Sequence, residues 1–271
     1  MIAGSKTILA GAIGSGKTHS LRTLVNTGLE VFAIFTEQKS LSVLGPVLDK
    51  IHWVHIPPNP VGWQKLKASA DAAAKLAPDA RARKLESRGE YTSFYRVLEQ
   101  MTNFVDQHGR SYGPVDSWDE GRVLVIDSLT GLDSMIKLML VGSRTNMTLP
   151  EIGEAQDFTR RFVEQVNDVC RCHFVLTAHV ERDTDQILGG VKLLIHTHGS
   201  KLGPVLPRTF DNFILAVREG EKFYWSTSDA SADVTAIHLP LAARLAPDFT
   251  ALIEGWKKLG GVMPQETKKG E

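Results

Sequence analysis

Sulfur is scarce in this chain: Cys170 and Cys172 are the two cysteines among 271 residues. That number excludes a disulfide-stapled scaffold, and a metal site built on them would need further ligands that the sequence does not offer. The pair stands two positions apart at what reads as a strand start, so both side chains would share one face, and free thiols in a reducing compartment are expected. An excess of either charge is lacking too, because 31 basic and 31 acidic residues cancel. Nothing global then draws the chain to nucleic acid or membrane, and any polyanion contact must come from a local patch. Apolar runs stop well short of the roughly 18 residues that a membrane-spanning helix needs. The N-terminus has one early lysine but no hydrophobic segment or cleavage site of a signal peptide, and there are no internal repeats or low-complexity stretches. A cytoplasmic protein is expected, with no membrane partner.

What is present begins almost at once. Gly11-Ala12-Ile13-Gly14-Ser15-Gly16-Lys17-Thr18 fills every fixed place of the phosphate-binding P-loop, G-x-x-x-x-G-K-[ST], and the apolar run Thr7 to Ala10 leads into it. The glycines let backbone N–H groups curl around phosphates, Lys17 brings a positive charge toward the β and γ groups, and the Thr18 hydroxyl can ligate Mg²⁺. Lys17 to Asn26 reads as a helix closed by Gly28, with its positive end toward the same phosphates. ATP and Mg²⁺ are the expected cofactors.

Short β-rich runs recur at Val31 to Phe35, Trp53 to Ile56, Val123 to Ile126 and Phe174 to Thr177, mostly separated by helical stretches. That alternation predicts an α/β fold with a mostly parallel sheet flanked by helices. Two helical candidates, Gly62 to Leu76 and Tyr91 to His108, flank the charged stretch Asp79 to Glu90 and form an excursion over about 60–112. Beyond Thr177, a polar turn and Gly189-Gly190 before Val191 to Thr197 suggest a hairpin. Phe213 to Arg218, the turn Glu219-Gly220-Glu221 and Phe223 to Thr227 suggest another, antiparallel at the sheet edge. Asp248 is placed to cap a helix whose Phe249, Leu252, Ile253, Trp256 and Leu259 share one face, docking on its own domain. One domain over 1–261 is expected, with a polar, disordered tail at 262–271.

A P-loop needs an acidic residue at the end of a second strand to hold Mg²⁺, and Val123-Leu124-Val125-Ile126-Asp127 supplies one. Asp127 could otherwise cap the helix that follows. Many P-loop ATPases place a glutamate directly after that aspartate, but Ser128 stands here, so the base must come from another strand. Val31 to Phe35, then Thr36 and Glu37, is the first strand after the P-loop helix, and Glu37 at its carboxyl end is the candidate base.

The succession GAIGSGKT, a strand ending in TEQ, then VLVIDSLTGL and FVLTAH resembles the core of RecA-like ATPases, which include strand-exchange recombinases, ring helicases and KaiC-type proteins. The resemblance implies that Glu37 is the catalytic base and that His179, a polar residue ending the strand after Phe174 to Thr177, senses the γ-phosphate. The stretch Gly199 to Asp211 (GSKLGPVLPRTFD) is similar to a segment of short phage RecA-like ATPases, associated with recombination and single-strand annealing. That likeness implies a phage-encoded protein in a bacterial host, single-stranded DNA as a partner and possible contact with a single-strand-binding protein. The long recombinases polymerise through a segment ahead of the core; here the first strand begins close to Met1, which puts that route to a homo-oligomer in doubt.

By the same resemblance, the DNA-contacting loop corresponds to Val180 to Ser200, where Arg182 and Lys192 could track a phosphate backbone. Glu181, Asp183 and Asp185 roughly cancel them, and no aromatic residue in the stretch can stack a base. Lys201 and Arg208 are candidate cations acting in trans on a neighbouring subunit's site. Two other readings of a P-loop stay open: a nucleotide or small-molecule kinase, with Arg81, Arg83 and Arg88 imitating a lid, and a packaging or regulatory ATPase with no DNA affinity of its own.

Overall fold

The computed structural model of this chain describes residues 2–58, 62–75, 91–142, 144, 146–184, 191–229 and 234–264. The charged stretch with Arg81, Arg83 and Arg88, the Asp185 and Gly189-Gly190 turn of the first hairpin and most of the polar tail lie outside those residues.

Runs of β-branched and aromatic residues form the strands β1 (Lys6–Gly11), β2 (Glu30–Phe35), β3 (His52–His55), β4 (Arg122–Asp127), β5 (His173–Thr184), β6 (Val191–Ile195), β7 (Asn212–Glu219), β8 (Lys222–Ser226) and β9 (Thr235–Ala236). They hydrogen-bond in the order β3-β2-β4-β5-β1-β7-β8, with β6 on β5 and β9 on β7. Every pairing from β3 to β7 along that path is parallel, and β8 closes the edge antiparallel to β7. The mixed α/β architecture expected from the alternating runs is therefore the one observed.

Because successive strand residues point to opposite faces, the sheet builds two cores. Ile8, Ala10, Phe32, Ile34, Leu124, Ile126, Phe174 and Leu176 face one way, against the helices Ser93–Thr102, Leu129–Val141 and Leu149–Val169. Leu9, Val31, Ala33, Phe35, Val123, Val125 and Val175 face the other, against Leu21 and Leu24 after the P-loop and the helix Phe249–Lys258. Helices on both faces explain why the inner strands read as unbroken apolar runs. Only the two ends of the sheet are left for polar chemistry, and the parallel strands bring Gly11, Phe35 and Asp127 to the same one.

Several local expectations change. Lys17 to Asn26 is helical throughout, but only Lys17–Ser20 is α; Leu21–Asn26 tightens to a 3₁₀ helix before Gly28. The helix expected over Tyr91 to His108 is shorter, Ser93–Thr102, and the chain then turns back through a Val105–Ser111 bridge. The two cysteines do not lie in a strand: Cys170 ends the helix Leu149–Val169, and β5 starts at His173. Both are buried and free. Lys6 explains that junction, since its buried Nζ donates to Cys170 O at 2.6 Å and Cys172 O at 2.7 Å, satisfying carbonyls where the helix ends.

Both hairpins form. In the second, however, β7 joins the parallel sheet beside β1 and only β8 is antiparallel. Asp248 caps the last helix through Thr250 N at 2.8 Å, and that helix does dock on its own chain: Phe249 N donates to Thr23 Oγ1 and Trp256 Nε1 to Ala3 O. Leu259 is the exception on its apolar face, lying exposed past the last turn.

Candidate nucleotide site

The loop after β1 needs two residues in the left-handed region, Gly14 at φ +76° and Gly16 at φ +89°, where a Cβ is strained. A Cβ on Gly16 would also meet the Phe223 ring at 2.8 Å. The loop wraps around the Lys17 ammonium, which donates to Gly11 O at 2.7 Å and Ala12 O at 2.9 Å. Burial pulls Lys17 down to about 8 from its ordinary 10.5, partly offset by Asp127. Ser15 Oγ is buried within the loop with no protein partner. An orphaned hydroxyl, a desolvated ammonium and a glycine-built turn are what a phosphate chain would satisfy, so these residues fit a nucleotide.

Asp127 ends β4 beside them. Its Oδ2 accepts from Thr18 Oγ1 at 2.9 Å, and its Oδ1 accepts from Thr177 Oγ1 of β5. Its own carbonyl takes Thr36 N at 2.8 Å and Thr36 Oγ1 at 3.2 Å, which ties the β2 and β4 ends together. The Asp127–Ser128 peptide is cis. Capping falls to Ser128, whose Oγ accepts Gly131 N at 3.4 Å. The aspartate is thus free of the capping role that was its alternative. A hydroxyl and a carboxylate 2.9 Å apart suit Mg²⁺, a hard cation that takes few protein oxygens and completes its shell with phosphate and water.

Glu37 follows β2 and faces the same space. Its Oε1 lies 3.5 Å from Ser128 Oγ and its Oε2 2.5 Å from Lys39 Nζ. His179 arrives from the other side, paired across the sheet with Gly11, and its Nδ1 stands 3.4 Å from Lys17 Nζ. Burial, then the Lys17 charge, pushes the imidazole below its ordinary value, so the neutral ring that can accept from Lys17 is favoured. Ile13, Gly14, Ser15, Gly16, Lys17, Thr18, Glu37, Asp127 and His179 line one cavity of about 330 Å³. Every catalytic and metal candidate read from the sequence converges there.

The remaining candidates do not. Lys201 and Arg208 are exposed on the segment after β6, and neither lines that cavity. Arg182 and Lys192 lie on the β5–β6 hairpin, where Arg182 faces Leu193 and Lys192 faces Asp183 across the strands. His196 pairs with Glu181 at 2.9 Å beside them. Sequence reasoning missed Lys39, Thr177 and Phe223. The last is an exposed aromatic of β8 that lines the cavity, with the Arg218 guanidinium 5.5 Å from its ring centre. Its only sequence signal was an aromatic residue just after the hairpin turn.

No protein-family model matches the chain, and no curated protein matches its sequence. Among solved structures, a prototypical ATPase from the type III secretion system of pathogenic bacteria is similar at 12% identity and a TM-score of 0.39, over 80% of this chain. The chain spans about half of that protein, 53% of its length. A likeness at that level assigns neither activity nor partner. Among the described residues, no helix is long and apolar enough to cross a membrane.

Proposed function

We propose that this protein is a Mg²⁺-dependent ATPase of the RecA-like class. The observation that carries the reading is the convergence of four strand ends on one cavity: the P-loop after β1, Glu37 after β2, Asp127 of β4 and His179 of β5. Lys17 and the loop N–H groups bind the β and γ phosphates, and Thr18 with Asp127 holds the metal. When bound, Mg²⁺ would supply charge neutralisation to the phosphates. Glu37, lining the same cavity, takes the proton of the attacking water, and neutral His179 reports the γ-phosphate through Lys17. Glu37, at the carboxyl end of β2 in the same cavity as Asp127, suits a water nucleophile better than a kinase's acceptor, and the arginines of the kinase alternative lie outside the described residues.

The partner we propose is single-stranded DNA, handled in phage-type recombination or annealing. Support comes from the sequence resemblance and from the continuity of β5, which runs from His179 directly into the hairpin bearing Arg182 and Lys192. Trans-acting roles for Lys201 and Arg208 in a homo-oligomer, and contact with a single-strand-binding protein, belong to the same proposal. The test is ATP turnover by wild type, Lys17→Ala and Glu37→Gln, with and without single-stranded oligonucleotide. Lys17→Ala should lose binding and turnover, and Glu37→Gln should bind ATP while turnover falls by about 10² or more. Wild-type turnover in Glu37→Gln removes the assigned base. No effect of oligonucleotide at low salt removes the DNA partner and favours a packaging or regulatory ATPase.

A further inference from the structure

Glu37, as it stands, is masked. One of its oxygens is held 2.5 Å from the Lys39 ammonium while the other faces Ser128 Oγ at 3.5 Å. Lys39 lies two residues on, in the first turn of the helix Gln38–Leu44, and lines the same cavity as Lys17, Asp127 and His179. Its positive charge reaches both Lys17 and His179, depressing each, so it looks onto the phosphate end of the cavity. Its side chain is 61% exposed, and an ion pair so open to water is weak and easily exchanged. A terminal phosphate brings two or more charged oxygens into that space and outcompetes a single carboxylate for an ammonium on a flexible four-carbon stem.

We propose that Lys39 senses the γ-phosphate: it parks on Glu37 in the nucleotide-free protein and moves to the terminal phosphate when a triphosphate binds, which frees the base. This rests on the ATPase reading of the site. Ser128 Oγ, 3.5 Å from the other carboxylate oxygen and next to Asp127 in the chain, is the neighbour left to the carboxylate once the cation is exchanged. A diphosphate offers no competitor, and Lys39 stays on Glu37. The lysine therefore discriminates triphosphate from diphosphate and couples that discrimination to the base.

The experiment is calorimetric titration of the full chain with ADP and with a non-hydrolysable ATP analogue, both with Mg²⁺, for wild type, Lys39→Ala and Lys39→Arg. Lys39→Ala should weaken the analogue about tenfold, the scale of one lost charge-assisted hydrogen bond, and leave ADP within about twofold. Lys39→Arg should restore most of the difference. Glu37→Gln should tighten the analogue in wild type, because Lys39 no longer has to leave a carboxylate, and should have no such effect in Lys39→Ala. Equal losses for both nucleotides, no loss for either, or a Glu37→Gln effect that persists without Lys39 overturns the proposal while leaving the ATPase reading intact. Absence of nucleotide binding by wild type overturns both. Unchanged melting of ligand-free Lys39→Ala checks that the fold is preserved.

Discussion

Nucleotide binding should weaken as pH rises through the titration of one lysine. The Lys17 ammonium is buried, and that desolvation, with the nearby Lys39 charge, outweighs the pull of Asp127 and Glu37 and holds it at about 8 against an ordinary 10.5. The sign follows directly: the free protein sheds this proton near pH 8, whereas the phosphate chain needs the ammonium and takes the proton back on binding. Affinity is therefore complete well below 8, half of it remains near 8, and it falls progressively above. With that midpoint the charged fraction is about three quarters at pH 7.5 and about 3% at pH 9.5, so affinity should fall roughly 25-fold between them. The assay is titration with a non-hydrolysable ATP analogue in the absence of Mg²⁺, which keeps metal hydroxide out of the measurement and lies where the phosphates are already ionised. Lys17→Arg isolates the effect, since a guanidinium stays charged throughout and its affinity, whatever its level, should be flat over the same range. A wild-type affinity that is also flat to pH 9.5, or a decline shared by Lys17→Arg, refutes the assignment of the titration to Lys17.

Two further outcomes concern the fold. Phe32 packs against Phe104, Tyr112 and Trp118 with ring centres 4.3 to 5.2 Å away, so Phe32→Ala should cost about 3–5 kcal/mol in urea unfolding, and a loss under about 1 kcal/mol would contradict that packing. Asp106 is buried, which raises its carboxyl, but Arg110 N, His108 N, His52 and Tyr112 more than offset this and hold it at about 2 against 3.8. Its contribution to stability is therefore present above pH 4 and lost as pH falls toward 2. Stability curves of wild type and Asp106→Asn should converge across that window, and a constant difference would refute the role.

The chemistry of the cavity was legible in the chain wherever function depends on spacing along it. Gly11 to Thr18 must be contiguous because a single turn wraps the phosphates, and Asp127 was readable because a carboxylate closing four apolar residues marks the end of a buried strand. Glu37 followed from elimination once Ser128 stood where a glutamate is common. The β-rich runs themselves were readable, since burial on both faces leaves no room for alternation. Less was readable at junctions: the 3₁₀ turn over Leu21–Asn26 and the end of the helix at Cys170 are set by what packs against them, Phe249 on one and Lys6 on the other.

Which strands are neighbours is not written in any local pattern. The sequence by itself determined the P-loop, the apolar strands, the carboxylates at their ends and the two hairpins, because each is a property of a few adjacent residues. Tertiary structure alone decided that β5 lies between β4 and β1, which sets Thr177 on Asp127 and His179 beside Gly11 and Lys17. It likewise decided that β7 joins β1 in parallel, which swings Phe223 of β8 against Gly16. Lys39 acquired its place on Glu37 in the same way. The physical reason is that strand order is fixed by how two separate cores close over the whole sheet, a sum over residues far apart in the chain, whereas a motif needs only the geometry of its own backbone.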